Sequence, residues 1–353
     1  MLADQRTEQS AGFDLVHNDI LRFFPELVRT LGGEPDLLLK RVGIEPVALL
    51  DGSARFGYRQ IVNLLEEAAA ELGCLDFGMR LASLQGGGSV FGAIGIVMKN
   101  SKTLGDALEY VKRHSYAHSL AARIDLQVHP VRHDVFVGHD ILLDRLPSKG
   151  QAIEQVLLLG HLNVMEITGG HARVRKVYFR HRPLSPPSTY RRYFGCSVGF
   201  DHHRDGIVFS PRDLTCPIVN PDARAYESVT SFIDTKFDRV SQPMHAQVRG
   251  VILEFIGTQH CNNEKVAARL HLHPRTLHRR LRQEGKSFQQ VKDDVRRDLA
   301  LYYLERTDLD LTRVAAKLGY AEHSVLTRSC VRWFSAAPSQ LRARAQRSGP
   351  SHH

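Results

Sequence analysis

The sequence predicts two folded parts of different class: α/β over roughly the first two-thirds, and all-α after Met244. Three observations carry this. Residues 122–139 alternate apolar and polar side chains with period two, the pattern of a β-hairpin, inside a region otherwise rich in helical spacing. After Met244 no strand-like alternation of useful length occurs, and apolar residues recur at helical intervals. Charge divides at the same place: residues 250–353 hold 18 Lys+Arg against 10 Asp+Glu, a net of +8, while the other 249 residues stand at +1. At 353 residues the chain also exceeds the roughly 250–300 at which a single core stops growing.

The elements follow in order. Asp14 to Thr30 has a helical apolar rhythm (Leu15, Ile20, Phe23, Leu27, then Leu31), with Pro25 expected to break it and Gly32-Gly33 to end it. Tyr58 to Leu72 is a stronger helix, since Ile61, Leu64, Leu65, Ala68 and Leu72 share one face. Leu104 to Ser119 is another, carrying Leu108, Val111 and Tyr116. Ala122–His129 and His133–His139 form the hairpin, with Pro130 in its turn. Gln151 to Met165 is a long apolar helix, Arg173–Arg180 is strand-like, and Pro183, Pro186 and Pro187 mark a loop. Gly206–Ser210 is a short final strand. Asn220-Pro221 and the polar stretch Asp234–Pro243 are read as the connection to the second part.

In the second part, Val248, Ile252 and Phe255 fall on one face of an opening helix. Glu264 to Leu270 forms a short helix whose Ala267 and Ala268 permit close approach of a neighbour. After a brief turn a second helix starts at Pro274, whose fixed φ suits the first helical position. Leu277 and Leu281, four apart, face inward, which leaves Arg275, His278, Arg279 and Arg282 outside. The pattern recurs about 48 residues later: Val314-Ala315-Ala316 stands where the first copy has Val266-Ala267-Ala268, Gly319 supplies the turn, and Asp310 can cap the helix. The second helix of this copy runs from about Glu322 to Phe334 and exposes His323, Ser324, Thr327 and Arg328. Val291, Val295, Leu299 and Tyr302 define one long helix between the copies. Two helix-turn-helix units joined in this way can set their second helices in successive major grooves of a duplex, about 34 Å apart. Combined with the local charge of +8, this makes double-stranded DNA the expected partner.

Residues 248–346 resemble the DNA-binding domain of AraC/XylS-type bacterial transcription regulators, most closely over Arg297–Arg342, "RDLALYYLERTDLDLTRVAAKLGYAEHSVLTRSCVRWFSAAPSQLR". The departures are Leu326 and Cys330 where the family usually has Phe, Ala336 where it has Gly, and Leu341 where it has an aromatic residue. All stay apolar or small. By motif position, the resemblance implies base reading by Arg275, Thr276, His278 and Arg279 in the first unit, and by His323, Ser324, Thr327 and Arg328 in the second. Lys286, Lys292, Arg296 and Arg332 are candidate phosphate contacts. Residues 24–212 are similar to the arabinose-binding-type regulatory domain of one branch of this family, chiefly over Gly86–Ser115, "GGGSVFGAIGIVMKNSKTLGDALEYVKRHS". That likeness implies sensing of a small-molecule effector and pairing of two chains.

Other constellations are weaker. Gly86-Gly87-Gly88 and Gly92-x-x-Gly95 are followed by no Gly-Lys-Ser/Thr and are read as a turn, without a nucleotide. His202-His203, His271 and His273 lack metal-ligand spacing. Asp201, His202 and Asp205 stand near one another, but no Gly-x-Ser-x-Gly nucleophile motif accompanies them. Cys74, Cys196, Cys216, Cys261 and Cys330 are odd in number, with no C-x-x-C pair. No apolar run reaches the ~18 residues of a membrane helix, and Met1–Ser10 has no signal-peptide pattern. Trp333 and Phe334 are expected in the core of the last unit, and His352-His353 are given no role.

The organisation expected is therefore an extension (1–23), an effector-binding and dimerisation domain (24–212), a linker (213–245), a DNA-binding domain (246–347, units at about 264–284 and 311–334) and a tail (348–353). The expected function is a cytoplasmic, effector-responsive transcription activator that works as a homodimer, without cofactor, metal or membrane, with RNA polymerase a further candidate partner. It is not expected to be an enzyme. The rivals are a regulator whose first domain only dimerises, and an enzyme fused to a DNA-binding tail.

Overall fold

The computed structural model describes residues 14–131, 133–143, 146, 148–237, 243–258, 260–306 and 309–348. Most of the expected extension and tail, including His352-His353, lies outside the described residues. The chain divides into two compact units, Met1–Ile141 with Pro147–Ser241, and Leu142–Leu146 with Gln242–His353.

The first unit opens on a strand, where the sequence suggested a helix from Asp14. β1 (Leu15–His17) pairs antiparallel with β2 (Arg55–Gly57), Val16 opposite Phe56. A three-residue strand is too short for period two and period 3.6 to be told apart. α1 (Phe24–Thr30) follows, with Pro25 in its first turn, so Pro25 starts this helix and does not interrupt one. Then come α2 (Pro35–Arg41), α3 (Tyr58–Glu71), α4 (Phe77–Gln85), α5 (Ala93–Lys99) and α6 (Leu104–His114). The Thr103 hydroxyl accepts from Asp106 N at 3.1 Å and fixes the start of α6. α6 ends before the expected Ser119 and gives way to a 3-10 turn over Ser115–Ala117. Of the glycines expected to form a turn, Gly86, Gly87 and Gly92 take positive φ around a 3-10 turn over Gly88–Phe91, whereas Gly95 lies inside α5, where a Cβ would collide with the Gly88 carbonyl.

β3 (Ala122–Val128) and β4 (Val135–Ile141) form the expected hairpin, in register from Ala122 opposite Ile141 to Val128 opposite Val135. α7 (Gly150–Ile167) is buried nearly all round. β5 (Lys176–Tyr178) is shorter than the strand expected at 173–180, and α8 (Pro187–Phe194), β6 (Ser197–Gly199) and β7 (Gly206–Phe209) complete the sheet. Its order is β3-β4-β7-β5-β6, antiparallel except for the β5–β6 pair. Residues 213–245, expected as a linker, are largely helical: α9 (Pro211–Leu214) and α10 (Ala223–Phe237) belong to the first unit. Asp213 is buried there and accepts from Arg175 Nε at 2.9 Å and Arg173 N at 3.1 Å.

Strand alternation gives the hairpin two different faces. Ile124 lies opposite His139, and Val137 opposite both Leu126 and Ile207, on an apolar face turned to the helices. The other face carries Asp125 and Asp140. Arg204 bridges them, Nη1 to Asp125 and Nη2 to Asp140, both at 3.0 Å. Arg180 joins the same group through Asp140 at 3.3 Å. All four side chains are buried.

The second unit is helical: α11 (Met244–Phe255), α12 (Asn263–Arg269), α13 (Pro274–Gln283), α14 (Phe288–Arg306), α15 (Leu311–Lys317), α16 (His323–Phe334) and α17 (Pro338–Ser348). Val291, Val295 and Leu299 of α14 are buried as expected, but Tyr303 is buried where Tyr302 was expected. A helix of 3.6 residues per turn carries the stripe one position on over this length. Trp333 and Phe334 are half-buried, not core residues. The four departures from the family pattern, Leu326, Cys330, Ala336 and Leu341, are all buried. Among the described residues no helix is long and apolar enough to cross a membrane.

Candidate nucleic-acid interface and regulatory cavity

The pairs α12–α13 and α15–α16 are built alike. Asn262 caps α12 by accepting from Lys265 N at 2.9 Å, and Asp310 caps α15 by accepting from Arg313 N at 2.8 Å. The turns close with the same bonds, Leu272 N to Ala267 O and Tyr320 N to Ala315 O, each at 2.9 Å. At the equivalent place in each turn stands a residue of positive φ, His271 at 55° and Gly319 at 69°. Beyond it the second turn is one residue longer. His273 caps α13, whereas the residue before α16 is Glu322, so the offset between copies rises from 48 to 49. Leu277 and Leu281 thus match Leu326 and Cys330, all fully buried.

This register sorts the candidate base-reading residues. Arg275, His278 and Arg279 correspond to Ser324, Thr327 and Arg328. Arg275, His278, Arg279, His323 and Arg328 are exposed, and Thr276, Ser324 and Thr327 are half-buried. Thr276 matches Val325, and His323 matches Pro274, so these two candidates have no like partner in the other copy. In α16, Thr327 Oγ1 donates to His323 O at 3.1 Å and Ser324 Oγ to Glu322 at 3.0 Å.

The electrostatics separate α13 from its surroundings. Arg275, Arg279, Arg280 and Arg282 project from it, and among the described residues no carboxylate lies within salt-bridge distance of any of them. Several arginines elsewhere in the unit do have carboxylate partners, such as Arg249 with Asp298 at 2.7 Å and Arg297 with Asp294 at 3.1 Å. At the end of α13 a polar recess is lined by His278, Arg282, Lys286, Ser287 and Gln290.

The four candidate phosphate contacts differ in what they touch. Lys286 stands 3.9 Å from Asp294, and Arg332 3.4 Å from Asp293. Lys292 Nζ donates to Cys261 O at 2.6 Å. Arg296 donates to Leu318 O and Gly319 O at 3.0 and 2.9 Å, with its guanidinium 4.2 Å from the Tyr320 ring centroid. These last two hold helices together inside the unit. The remaining weak constellations also have structural tasks. Asp205 accepts from Arg180 N at 2.7 Å, and His202 stacks on Tyr178 at 4.1 Å.

Sequence reasoning named no effector pocket. The first unit contains a cavity of about 100 Å³ between the hairpin face, β7 and helices α5, α6 and α7. Its polar side chains are Ser115, His118 and His139. Burial pushes both imidazoles down to about 4, so both are neutral near pH 7. His139 Nε2 lies 3.5 Å from the Tyr58 hydroxyl. The pocket draws between one and four residues from each of many distant segments, and no local pattern announces such a set.

Known proteins resemble the chain over most of its length. Residues 32–218 match the family model of the arabinose-binding domain of AraC transcription regulators, and residues 266–344 match a helix-turn-helix domain. The chain is 33% identical over 326 residues to the HTH-type transcriptional regulator VirS of Mycobacterium tuberculosis, spanning 92% of this chain and 96% of that one. It is 24% identical over 324 residues to the ornithine utilization regulator of Pseudomonas aeruginosa, spanning 90% and 93% respectively. The crystal structure of the transcriptional regulator CdpR from Pseudomonas aeruginosa aligns at 21% identity and a TM-score of 0.39, covering 89% of this chain and 97% of that one. On the family model that spans its first unit and the full-length likeness to VirS, the chain belongs to the AraC family and is a DNA-binding transcription regulator.

Proposed function

We propose that the two helix pairs are helix-turn-helix units that read DNA through α13 and α16, and that the first unit makes this reading responsive to a small molecule. The observation that carries the first half is the set of four arginines on α13 with no carboxylate neighbour among the described residues. Leaving four like charges unpaired on one helix works against its own stability, so the arrangement is understandable when a polyanion completes it. Arg275, Arg279 and Arg328 are assigned to base edges, where a bidentate contact to guanine discriminates by about 1–3 kcal/mol. His278, Ser324 and Thr327 are assigned to the same surface, with Thr276 and His323 at its margin. Lys286 and Arg332 are the better placed of the four phosphate candidates, being exposed enough to leave their acidic neighbours for a phosphate.

Effector sensing rests on the cavity and on the arabinose-binding-type family match over 32–218. Pairing of two chains, contact with RNA polymerase and activation as the output rest on the family alone. The test is binding to the DNA upstream of the chain's own gene at several salt concentrations. The parent should protect a defined site, with log K falling linearly against log salt. Arg279→Ala should weaken that site and relax base preference at one position. Unchanged affinity and preference in Arg279→Ala would remove α13 from the proposal.

A further inference from the structure

The cavity in the first unit has a chemistry that selects among effectors. We propose that it binds a small, uncharged, mainly apolar molecule of about the size of phenol or a short-chain alcohol, its single oxygen held by the imidazoles of His118 and His139. This deepens the effector-sensing reading above and rests on it for its regulatory meaning.

The walls exclude the alternatives. Phe91, Ile94, Met98, Val137, Leu157 and Ile207 are typical of the lining, and no Lys, Arg, Asp or Glu belongs to it. A carboxylate or an ammonium group would enter without a counter-charge, which is strongly unfavourable in an apolar site. Both imidazoles are neutral in this surrounding, so neither offers a resident positive charge. A pentose fails for a different reason. It brings four hydroxyls and a ring oxygen, and Ser115, His118 and His139 are too few to satisfy them. Each hydroxyl left unpaired counts against binding, so arabinose does not suit this chain's cavity.

A single oxygen does suit it. The His118 ring makes no side-chain hydrogen bond among the described residues; the contact it makes is edge-on to Phe91, centroids 5.7 Å apart. His139 reaches Tyr58 only at the long distance of 3.5 Å. Both rings therefore retain capacity to donate to or accept from a ligand oxygen. The volume sets the size: about 100 Å³ here, against the ~150 Å³ of an apolar protein cavity that accepts benzene. Met98, unbranched and adaptable, can make up the difference.

The cavity is also placed to matter. α5 presents Ile94 and Met98 to it, and α10 packs against α5. Tyr110 of α6 and Tyr226 of α10 are in edge-to-face contact at 6.2 Å. α10 is the last described helix before the second unit begins.

The experiment uses the full chain and three probes: phenol, benzoate and L-arabinose. Phenol should raise the Tm of the first unit saturably at millimolar concentration, while benzoate and arabinose should leave it unchanged. Gly160 lines the cavity on α7, and a Cβ there would meet only Ile207 Cδ1 at 3.9 Å, so Gly160→Leu fills the space. The phenol shift should vanish in Gly160→Leu. Should that variant not fold, His118→Phe serves in its place: it should weaken phenol about tenfold and leave toluene unchanged. No phenol shift in the parent, or a shift that survives both substitutions, overturns the site. A larger response to arabinose or benzoate than to phenol overturns the ligand class. Phenol binding that obeys these expectations while DNA affinity stays unchanged supports the site and removes effector sensing instead.

Discussion

Arg296 Nη2 donates to the Gly319 carbonyl at 2.9 Å and so ties the long helix α14 to the turn between α15 and α16. Its Nε reaches Leu318 O at 3.0 Å, and Tyr320 covers the guanidinium. From sequence alone this side chain reads as a phosphate contact. The geometry makes it a strut that satisfies the carbonyls at the end of α15. The two roles differ in salt dependence. Removing a phosphate contact lowers the slope of log K against log salt by about 0.9. Removing a strut leaves the slope and destabilises the unit, by about 1.5–3 kcal/mol for hydrogen bonds to a charged group. Arg296→Ala should therefore unfold earlier in urea with its salt slope intact. Trp333, the one tryptophan in the chain, lies in the same unit and provides the fluorescence readout. Lysine should not restore stability, because it has no fork to span two carbonyls.

His271 occupies the place that Gly319 occupies in the other copy, and its φ of 55° is unusual for a residue with a Cβ. His271→Gly relieves that conformation but gives the unfolded chain more freedom, and the first effect should win where φ is positive. The expected gain is about 0.5–1 kcal/mol in urea unfolding, with DNA affinity unchanged because His271 is outside the proposed reading set. His271→Ala should lose stability. Equal effects of glycine and alanine would show that the turn imposes no left-handed requirement.

The second unit was legible because its information is local. Leu277 and Leu281 fix one face of α13, Asp310 announces a helix start, and Gly319 a turn. Each works within a few residues. The sequence is a poorer guide where a partner distant in the chain decides. Leu15–His17 is a strand because Arg55–Gly57 lies beside it. Residues 223–237 carry enough polar residues to resemble a linker, yet form α10, which packs on α5. Lys292 and Arg296 gave no hint of the carbonyls of Cys261 and Gly319 that occupy them. Nor does the repeat show that the second turn is one residue longer, which leaves Thr276 and His323 without counterparts of like kind in the other copy.

Arg204 is a buried cation whose fate depends on Asp125 and Asp140, both within 3.0 Å. The Arg204 and Arg180 charges hold the Asp140 carboxyl well below its ordinary range, against a desolvation that alone would raise it. Gly138 makes room for the guanidinium, since a Cβ there would meet Arg204 Nη2 at 2.5 Å. Arg204→Met leaves two buried carboxylates short of their partner, and breaking such a pair costs about 3–5 kcal/mol. The first unit should lose that stability in chemical denaturation, as followed by hydrogen exchange in β3 and β4. A triple variant with Asp125→Asn and Asp140→Asn should recover part of it. A loss below about 1 kcal/mol in Arg204→Met would mean that water reaches these carboxylates.

Glu154 poses the opposite pH problem. It is fully buried on α7, accepts a hydrogen bond from the Tyr190 hydroxyl, and has His181 Nε2 at 3.8 Å. Burial pushes its carboxyl up to about 8, the Tyr190 hydrogen bond pulls it down, and the charges of Glu66 and Asp76 add to the rise. The unfolded chain has the ordinary value of 4.5, so between 4.5 and about 8 the folded state keeps a proton that the unfolded state has lost. A raised carboxyl contributes its full stability below pH 4.5 and loses it as pH climbs through 8. Glu154→Gln mimics the protonated form and removes the titration. The variant should match the parent near pH 4.5 and become progressively the more stable of the two between pH 5 and pH 8, by about 1.4 kcal/mol for each unit of pKa displacement. Taking the difference between variant and parent cancels the titrating groups that do not interact with Glu154. Unfolding curves at pH 5, 6.5 and 8 are sufficient, and parallel curves at all three would show that Glu154 is ionised in the folded chain.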